Sequence, residues 1–279
     1  MGNNKVWFIT GASKGLGLEL AKKLLAEGYK VAATSRSEEA LVKVLGNASE
    51  NFLPLEMDLV DEKSVKNAID KTINHFKTID VLVNNAGYGL LGALEELTDA
   101  ESRKNYEVNV FGLLNVIRNT MPILRENKSG HIFNISSVGG YYGEFPGWGI
   151  YCSTKFAVAG LTESLSAEVK EFGVHATIVY PGYFRTDFLK DSSLLLPQNP
   201  IADYKEVRQS ESAHKDDINE NQPGDPVKLA EALIKASEDQ NPPLHLFLGE
   251  DAYNMANQKI ASVQKELEGW KSVSISTAL

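Results

Sequence analysis

An apolar run, Lys5–Thr10, leads straight into Thr10-Gly11-Ala12-Ser13-Lys14-Gly15-Leu16-Gly17, and a helical pattern follows. Of all its features, this junction most narrows what the chain can fold into. Glycine tolerates positive φ and lets the backbone approach a diphosphate with no Cβ in the way. The free N–H groups at the start of the following helix then face negative oxygens. The spacing is not that of the GxxxxGK[ST] loop, which disfavours a P-loop ATPase. Gly11, Ser13, Lys14, Gly15, Leu16 and Gly17 are therefore the candidate contacts to a dinucleotide.

The rest of the chain repeats the strand–helix rhythm. Strands are expected at Lys5–Thr10, Lys30–Ser35, Phe52–Met57, Val81–Asn84, His131–Ile135, Val174–Tyr180 and Leu244–Leu248. Between them, apolar residues recur at three- and four-residue spacing, as in Leu16, Leu20 and Leu24, or Val65, Ile69, Ile73 and Phe76. Apolar strands alternating with amphipathic helices predict a Rossmann-like α/β fold: a doubly wound, seven-stranded parallel sheet covered by helices on both faces. One domain spanning 1–279 accommodates this. The stretch 183–223 breaks the rhythm, with a polar second half and no convincing strand, and is expected to form a substrate-binding lid. Beyond it, Asp225 is set to cap a helix that has Pro226 at its first position.

Charge and cysteine usage exclude several classes of function. A net charge of −9 argues against a broad nucleic-acid surface, although a local basic pocket for one nucleotide remains open. The single cysteine, Cys152, cannot form an intrachain disulfide and suits a reducing compartment. It is expected as a small buried side chain rather than a reactive thiol. The five histidines are scattered, so no dedicated metal site is expected, and His131 is read as structural. No apolar run is long enough to span a membrane. The Met1-Gly2 start has neither a signal-peptide pattern nor, with Val6 at the sixth position, a myristoylation signal, so a cytoplasmic location is expected.

The second strand ends in Thr34-Ser35-Arg36-Ser37, with no carboxylate before Glu38. An acidic residue at that place selects NAD through the ribose hydroxyls, whereas arginine suits a 2′-phosphate. Arg36, with Lys14 in the glycine loop, therefore points to NADP(H).

Tyr151 and Lys155 lie four apart at the start of an apolar helix, so they share one face of it. A phenol with a pKa of about 10 moves protons at neutral pH only if its anion is stabilised, as a nearby ammonium group can do. The preceding strand ends in Ser136-Ser137, where a hydroxyl can hold a substrate oxygen beside the tyrosine.

In this order the motifs resemble those of the short-chain dehydrogenase/reductase family, in its single-domain branch. The likeness is strong from Lys5 to about Leu189. It rests on the loop Thr10–Gly17, Asp58-Leu59, Asn84-Asn85-Ala86-Gly87, Asn109, Ser137, Tyr151 with Lys155, and Pro181-Gly182-Tyr183-Phe184-Arg185-Thr186. The resemblance implies a set of roles. Tyr151 is the proton donor in reduction and the acceptor in oxidation. Lys155 lowers its pKa and holds the nicotinamide ribose. Ser137 orients the carbonyl, and Asn109 holds a water in a relay to Lys155. Asp58, Leu59, Asn85, Ala86 and Gly87 line the adenosine side, and Pro181, Gly182 and Thr186 touch the nicotinamide end and the phosphates. Asn84 is read as structural, and Ser136 as a neighbour whose side chain points to the opposite face.

The expected reaction is reversible interconversion of a carbonyl and a secondary alcohol on an apolar ketone or aldehyde, with reduction favoured. Expected pocket walls are Tyr142, Phe145, Trp148, Tyr183, Phe184, Phe188 and the Leu194-Leu195-Leu196 run. Two other readings compete with it. One is an NADP-binding redox sensor without turnover, which retention of Tyr151, Lys155, Ser137 and Asn109 opposes. The other is an epimerase or dehydratase of nucleotide sugars, which chain length and glycine spacing oppose. Relatives pair through the helix after Thr98 and the Tyr151 helix, so the resemblance implies a homodimer or homotetramer. Burial against the sheet accounts for part of the apolarity of Val110, Leu113, Leu114, Val116 and Ile117 on the first of these.

Overall fold

The computed structural model describes residues 4–278, so the reading of the Met1-Gly2 start lies outside the described residues. Seven strands form one parallel sheet: β1 (Val6–Thr10), β2 (Lys30–Ser35), β3 (Phe52–Glu56), β4 (Val81–Asn84), β6 (Gly130–Ile135), β7 (Val174–Pro181) and β9 (His245–Leu248). Their order across the sheet is β3-β2-β1-β4-β6-β7-β9. The chain winds outward from β1 in one direction, then returns to β4 and winds the other way. The crevice between β1 and β4 is thus the switch point of the topology, where such sheets bind ligands beyond the carboxyl ends of the strands.

Alternation along β1 shows how the two layers form. Val6 and Phe8 face one side, where they pack with Val65, Leu82, Val116 and Val158. Trp7 and Ile9 face the other, where they pack with Leu20, Leu24, Val83 and Leu229. All four strand residues are buried, as expected for a sheet covered on both faces. The first layer is made by α3 (Glu62–Phe76), α5 (Leu113–Asn127) and α6 (Gly149–Val169), the second by α1 (Gly15–Ala26), α2 (Glu38–Leu45) and α8 (Pro226–Glu238). Asp225 caps α8 by accepting from the Val227 amide at 2.9 Å, with Pro226 in the first turn, as its sequence predicts.

Two short strands depart from the sequence reading. β5 (Gly89–Leu90) pairs in parallel with β8 (Leu194–Leu195), so the stretch after β7 does contain a strand. Two residues are too few to carry a periodicity. The same stretch holds α7 (Lys205–Ser212), which continues into a π-helical turn, Ala213–Ile218. The helix after Thr98 is also interrupted: α4 (Asp99–Tyr106) joins α5 through a π-helical turn at Glu107–Gly112 that contains Asn109. Val110, Leu113, Val116 and Ile117 are all buried within the chain itself. The last element is α9 (Glu250–Ile275). Among the described residues no helix is long and apolar enough to cross a membrane.

Candidate active site

A cavity of about 540 Å³ opens at the carboxyl edge of the sheet. Its floor is the glycine loop. Gly11 and Gly15 hold φ of +68° and +59°, conformations that glycine adopts without strain. Asn85, just past β4, clamps the loop from below: its amide group donates to the carbonyls of Thr10 at 2.9 Å and Gly11 at 3.0 Å. Gly17 lies against this clamp, where a Cβ would come within 2.5 Å of Asn85 Nδ2 and 2.7 Å of the Gly11 carbonyl.

At one end of the cavity stand Arg36, which is exposed, and Lys14. The Lys14 ammonium donates to the Ser192 carbonyl and hydroxyl, both at 3.0 Å. Partial burial holds its pKa below the ordinary lysine value. The like charge of Arg36 pushes the same way, and Asp187 opposes both. Two cations that repel one another on a cavity wall have the charge to attract an anion.

At the other end, α6 brings Tyr151 and Lys155 to the wall, both buried. The Lys155 ammonium sits 5.8 Å from the centre of the Tyr151 ring and donates to the Ile135 carbonyl at 2.9 Å. Burial lowers its pKa to about 8. Burial drives the Tyr151 phenol above its ordinary value, with Ser137 working against the rise; the lowering by Lys155 that the resemblance implies does not appear, because burial outweighs it in this site. Ser137, at the end of β6, accepts from the Gly139 amide at 3.1 Å, which fixes its hydroxyl beside the phenol. Ser136 points away and donates to the Lys155 carbonyl at 2.8 Å, in keeping with strand alternation. Cys152 is buried, and burial pushes its thiol up to about 12.

The residues named from the sequence converge on this cavity, with four departures. Gly17 supports the loop from behind and does not line it. Asn109 is buried behind it, with its side chain engaged: Oδ1 accepts from the Tyr88 amide at 3.1 Å, and Nδ2 donates to the Tyr88 carbonyl at 3.0 Å and Thr154 Oγ1 at 3.2 Å. It still adjoins Lys155, because a Cβ on Gly87 would come within 3.0 Å of Asn109 Oδ1 and 3.6 Å of Lys155 Nζ. Tyr142 is not a wall. It packs edge-on against Phe145, and its hydroxyl donates to Glu144 at 3.2 Å. Of the Leu194–Leu196 run, Leu195 alone reaches the cavity, while Leu194 and Leu196 pack beneath it. Alternation and local packing turned these side chains away. Asn84 and His131 are structural, bonded to Asn134 and Thr177.

Two residues at the site, His214 and Asp251, carry no local signal in the sequence, and Gly139 follows Ser137 closely in it. His214, on the π-helical turn after α7, donates from Nδ1 to the Ser210 carbonyl at 2.7 Å, which leaves Nε2 to accept the Tyr183 hydroxyl at 2.9 Å. Burial keeps its pKa below the ordinary histidine value. Gly139 leaves room between Ser137, Tyr151 and Cys152, where a Cβ would be 3.1 Å from the Cys152 sulfur. Asp251, in the first turn of α9, accepts from the Tyr183 amide at 2.6 Å and lies so close to Gly182 that no side chain fits there.

Comparison with known proteins agrees with this arrangement. A family profile described as short chain dehydrogenase matches residues 5–194. The oxidoreductase BOA17 of Botryotinia fuckeliana is 35% identical over 98% of this chain and 99% of its own. A crystal structure of a short-chain dehydrogenase from Streptomyces avermitilis superposes with a TM-score of 0.89 at 35% identity, covering 98% of this chain and 100% of that one. A short chain dehydrogenase from Burkholderia cenocepacia, solved in complex with NADP, superposes with a TM-score of 0.73 at 26% identity over 96% of this chain and 98% of that one. Likeness of this extent, on the same sheet and with the same motif order, makes the protein an oxidoreductase of the short-chain dehydrogenase family.

Proposed function

We propose that the protein is an NADP(H)-dependent carbonyl reductase acting reversibly on an apolar ketone or aldehyde. One observation carries the reading: buried Tyr151 and Lys155, one helical turn apart, wall the same cavity whose far end is lined by Lys14 and Arg36. The residues fit a dinucleotide. The positive-φ glycines Gly11 and Gly15 expose backbone amides at the start of α1, and no side chain projects from them into the cavity. Arg36 and Lys14 would hold a 2′-phosphate, which an NAD site with a carboxylate at the end of β2 would repel. Solved relatives hold either cofactor, NADP in the Burkholderia cenocepacia enzyme and NADH in a Brucella melitensis reductase, so the choice rests on Arg36 and Lys14. Asp58, Leu59, Ala86 and Gly87 would line the adenosine side, and Pro181, Gly182 and Thr186 the nicotinamide end. When bound, the nicotinamide supplies or accepts the hydride.

The chain's own part is to hold the carbonyl and supply a proton. The Tyr151 and Ser137 hydroxyls would both donate to the substrate oxygen, polarising it and receiving the charge that develops there. Tyr151 would then give up its proton to that oxygen. Burial keeps it an O–H donor at neutral pH, and the NADP(H) preference read from Arg36 is what supports reduction as the favoured direction. The buried Lys155 ammonium would stabilise the phenolate left behind. Phe145, Trp148, Tyr183, Phe188 and Leu195 form an apolar wall over Tyr151, which supports an apolar substrate. The segment 183–223 would act as the lid over that wall and exclude water.

The test is cofactor consumption with a panel of apolar ketones and aldehydes. Faster oxidation of NADPH than of NADH, dependent on the carbonyl, is the expected result. Tight NADPH binding without turnover on any carbonyl would overturn the reading.

A further inference from the structure

The C-terminal helix carries an apolar stripe away from the body. α9 seats its first two turns through Ala252 and Ala256, which are buried. From Ile260 onward every described residue is exposed. About 24 Å of helix therefore projects with nothing against it among the described residues. Five of its seven large exposed apolar side chains fall on one stripe, and only Val273 and Ile275 in the last turn lie off it. Tyr253, Ile260 and Leu267 are spaced by seven, and so are Ala256, Val263 and Trp270, three residues later. Tyr253, Leu267 and Trp270 are 64%, 62% and 66% exposed. An average spacing of 3.5 is the mark of a helix that meets another helix along a narrow seam.

We infer that this seam is an interface with a second copy of the chain, the two α9 helices running antiparallel. Two-fold pairing about a point near Ala261 and Ser262 sets Tyr253 of one copy opposite Trp270 of the other, and Ile260 opposite Val263. Leu267 meets the edge of the body beside Ala256. The flanks match in the same register: Lys259 faces Glu266 and Glu250 faces Lys271, each pair occurring twice by symmetry. A parallel pairing is ruled out by shape, because the body covers the stripe at Ala256 and two bodies would claim the same volume. A membrane surface is a poor occupant. Three lysines, Lys259, Lys265 and Lys271, are balanced by Glu250, Asp251, Glu266 and Glu268, whereas an interfacial helix needs a basic polar face. Five large side chains from each copy cover roughly 1,000 Å², at the lower edge of specific interfaces.

Sedimentation of the full chain across a range of concentrations tests this. The double variant Leu267→Glu/Trp270→Glu is expected to halve the particle mass while keeping a cooperative thermal transition that no longer rises with concentration. Lys259→Glu alone should weaken association at least tenfold, and adding Glu266→Lys should restore it to within threefold. Trp7 and Trp148 are buried, so a blue shift of tryptophan emission with rising concentration reports on Trp270. Equal mass for the wild type and the double variant, or failure of the charge swap to restore association, would overturn the inference. So would binding of the wild type, but not the double variant, to anionic vesicles with no change in mass.

Discussion

Lys155 carries an electrostatic conflict. Its charge is needed beside Tyr151, yet burial lowers its pKa to about 8, well under the unfolded lysine value. On activity, the ammonium is present below about pH 8 and lost above it, so the reductive rate should hold at neutral pH and decline on the alkaline side. A pH–rate profile checks this, and Lys155→Arg should move the decline out of range. On stability the sign is the reverse. The charged form is disfavoured in the fold, so the penalty is full below about pH 8 and is relieved as pH rises toward the unfolded value. Lys155→Met should therefore abolish activity and stabilise the fold at pH 7 by up to about 3 kcal/mol, with the gain vanishing near pH 10.5. At the far end of the cavity, Arg36→Asp should lower the NADPH/NADH ratio of kcat/KM by about 10- to 100-fold, the worth of one charged hydrogen bond. These residues were legible in the sequence because each lies in a local motif: a strand end, a glycine loop, a tyrosine–lysine turn. His214 and Asp251 were not. They reach the site through contacts with Tyr183, 31 and 68 positions away, and nothing in their local pattern signals it.

At the scale of elements, the segment 183–223 is tied down by one buried carboxylate. Glu96 accepts from the Ala93 amide at 2.7 Å, from the Ile201 amide at 2.6 Å and from the Arg208 guanidinium at 3.0 and 2.8 Å. Its side chain is fully buried, while that of Arg208 is 29% exposed. Removing it leaves two amides and a partly buried cation without their acceptor. Glu96→Ala should cost about 3 kcal/mol in thermal or urea unfolding and raise KM more than it lowers kcat, because the lid loosens while Tyr151 stays in place. The seven main strands were readable because each is a run of buried apolar residues bounded by turns. The pairing of β5 with β8 and the two π-helical turns were not. The first is too short to have a period, and the others insert a residue into a helix whose apolar faces remain in step on either side.

On the scale of the whole molecule, the topology sets the chemistry's location. β1 and β4 part at the switch point, the glycine loop spans the gap, and α6 delivers Tyr151 to the same edge. α9 joins this edge to the surface: Asp251 in its first turn holds the Tyr183 amide, and its far turns carry the exposed seam. A ligand that fills the cavity binds the folded state alone, so NADPH at a hundred times its dissociation constant should add about 2.7 kcal/mol, a rise in Tm of about 5 °C or more. NADH at the same concentration should add less. The central claim is that the Tyr151 hydroxyl delivers the proton, and comparison of Tyr151→Phe with the wild type tests it most directly. The variant should bind NADPH with unchanged affinity by fluorescence titration and turn over a reactive ketone about a thousandfold more slowly. A variant that kept the wild-type rate would contradict the account.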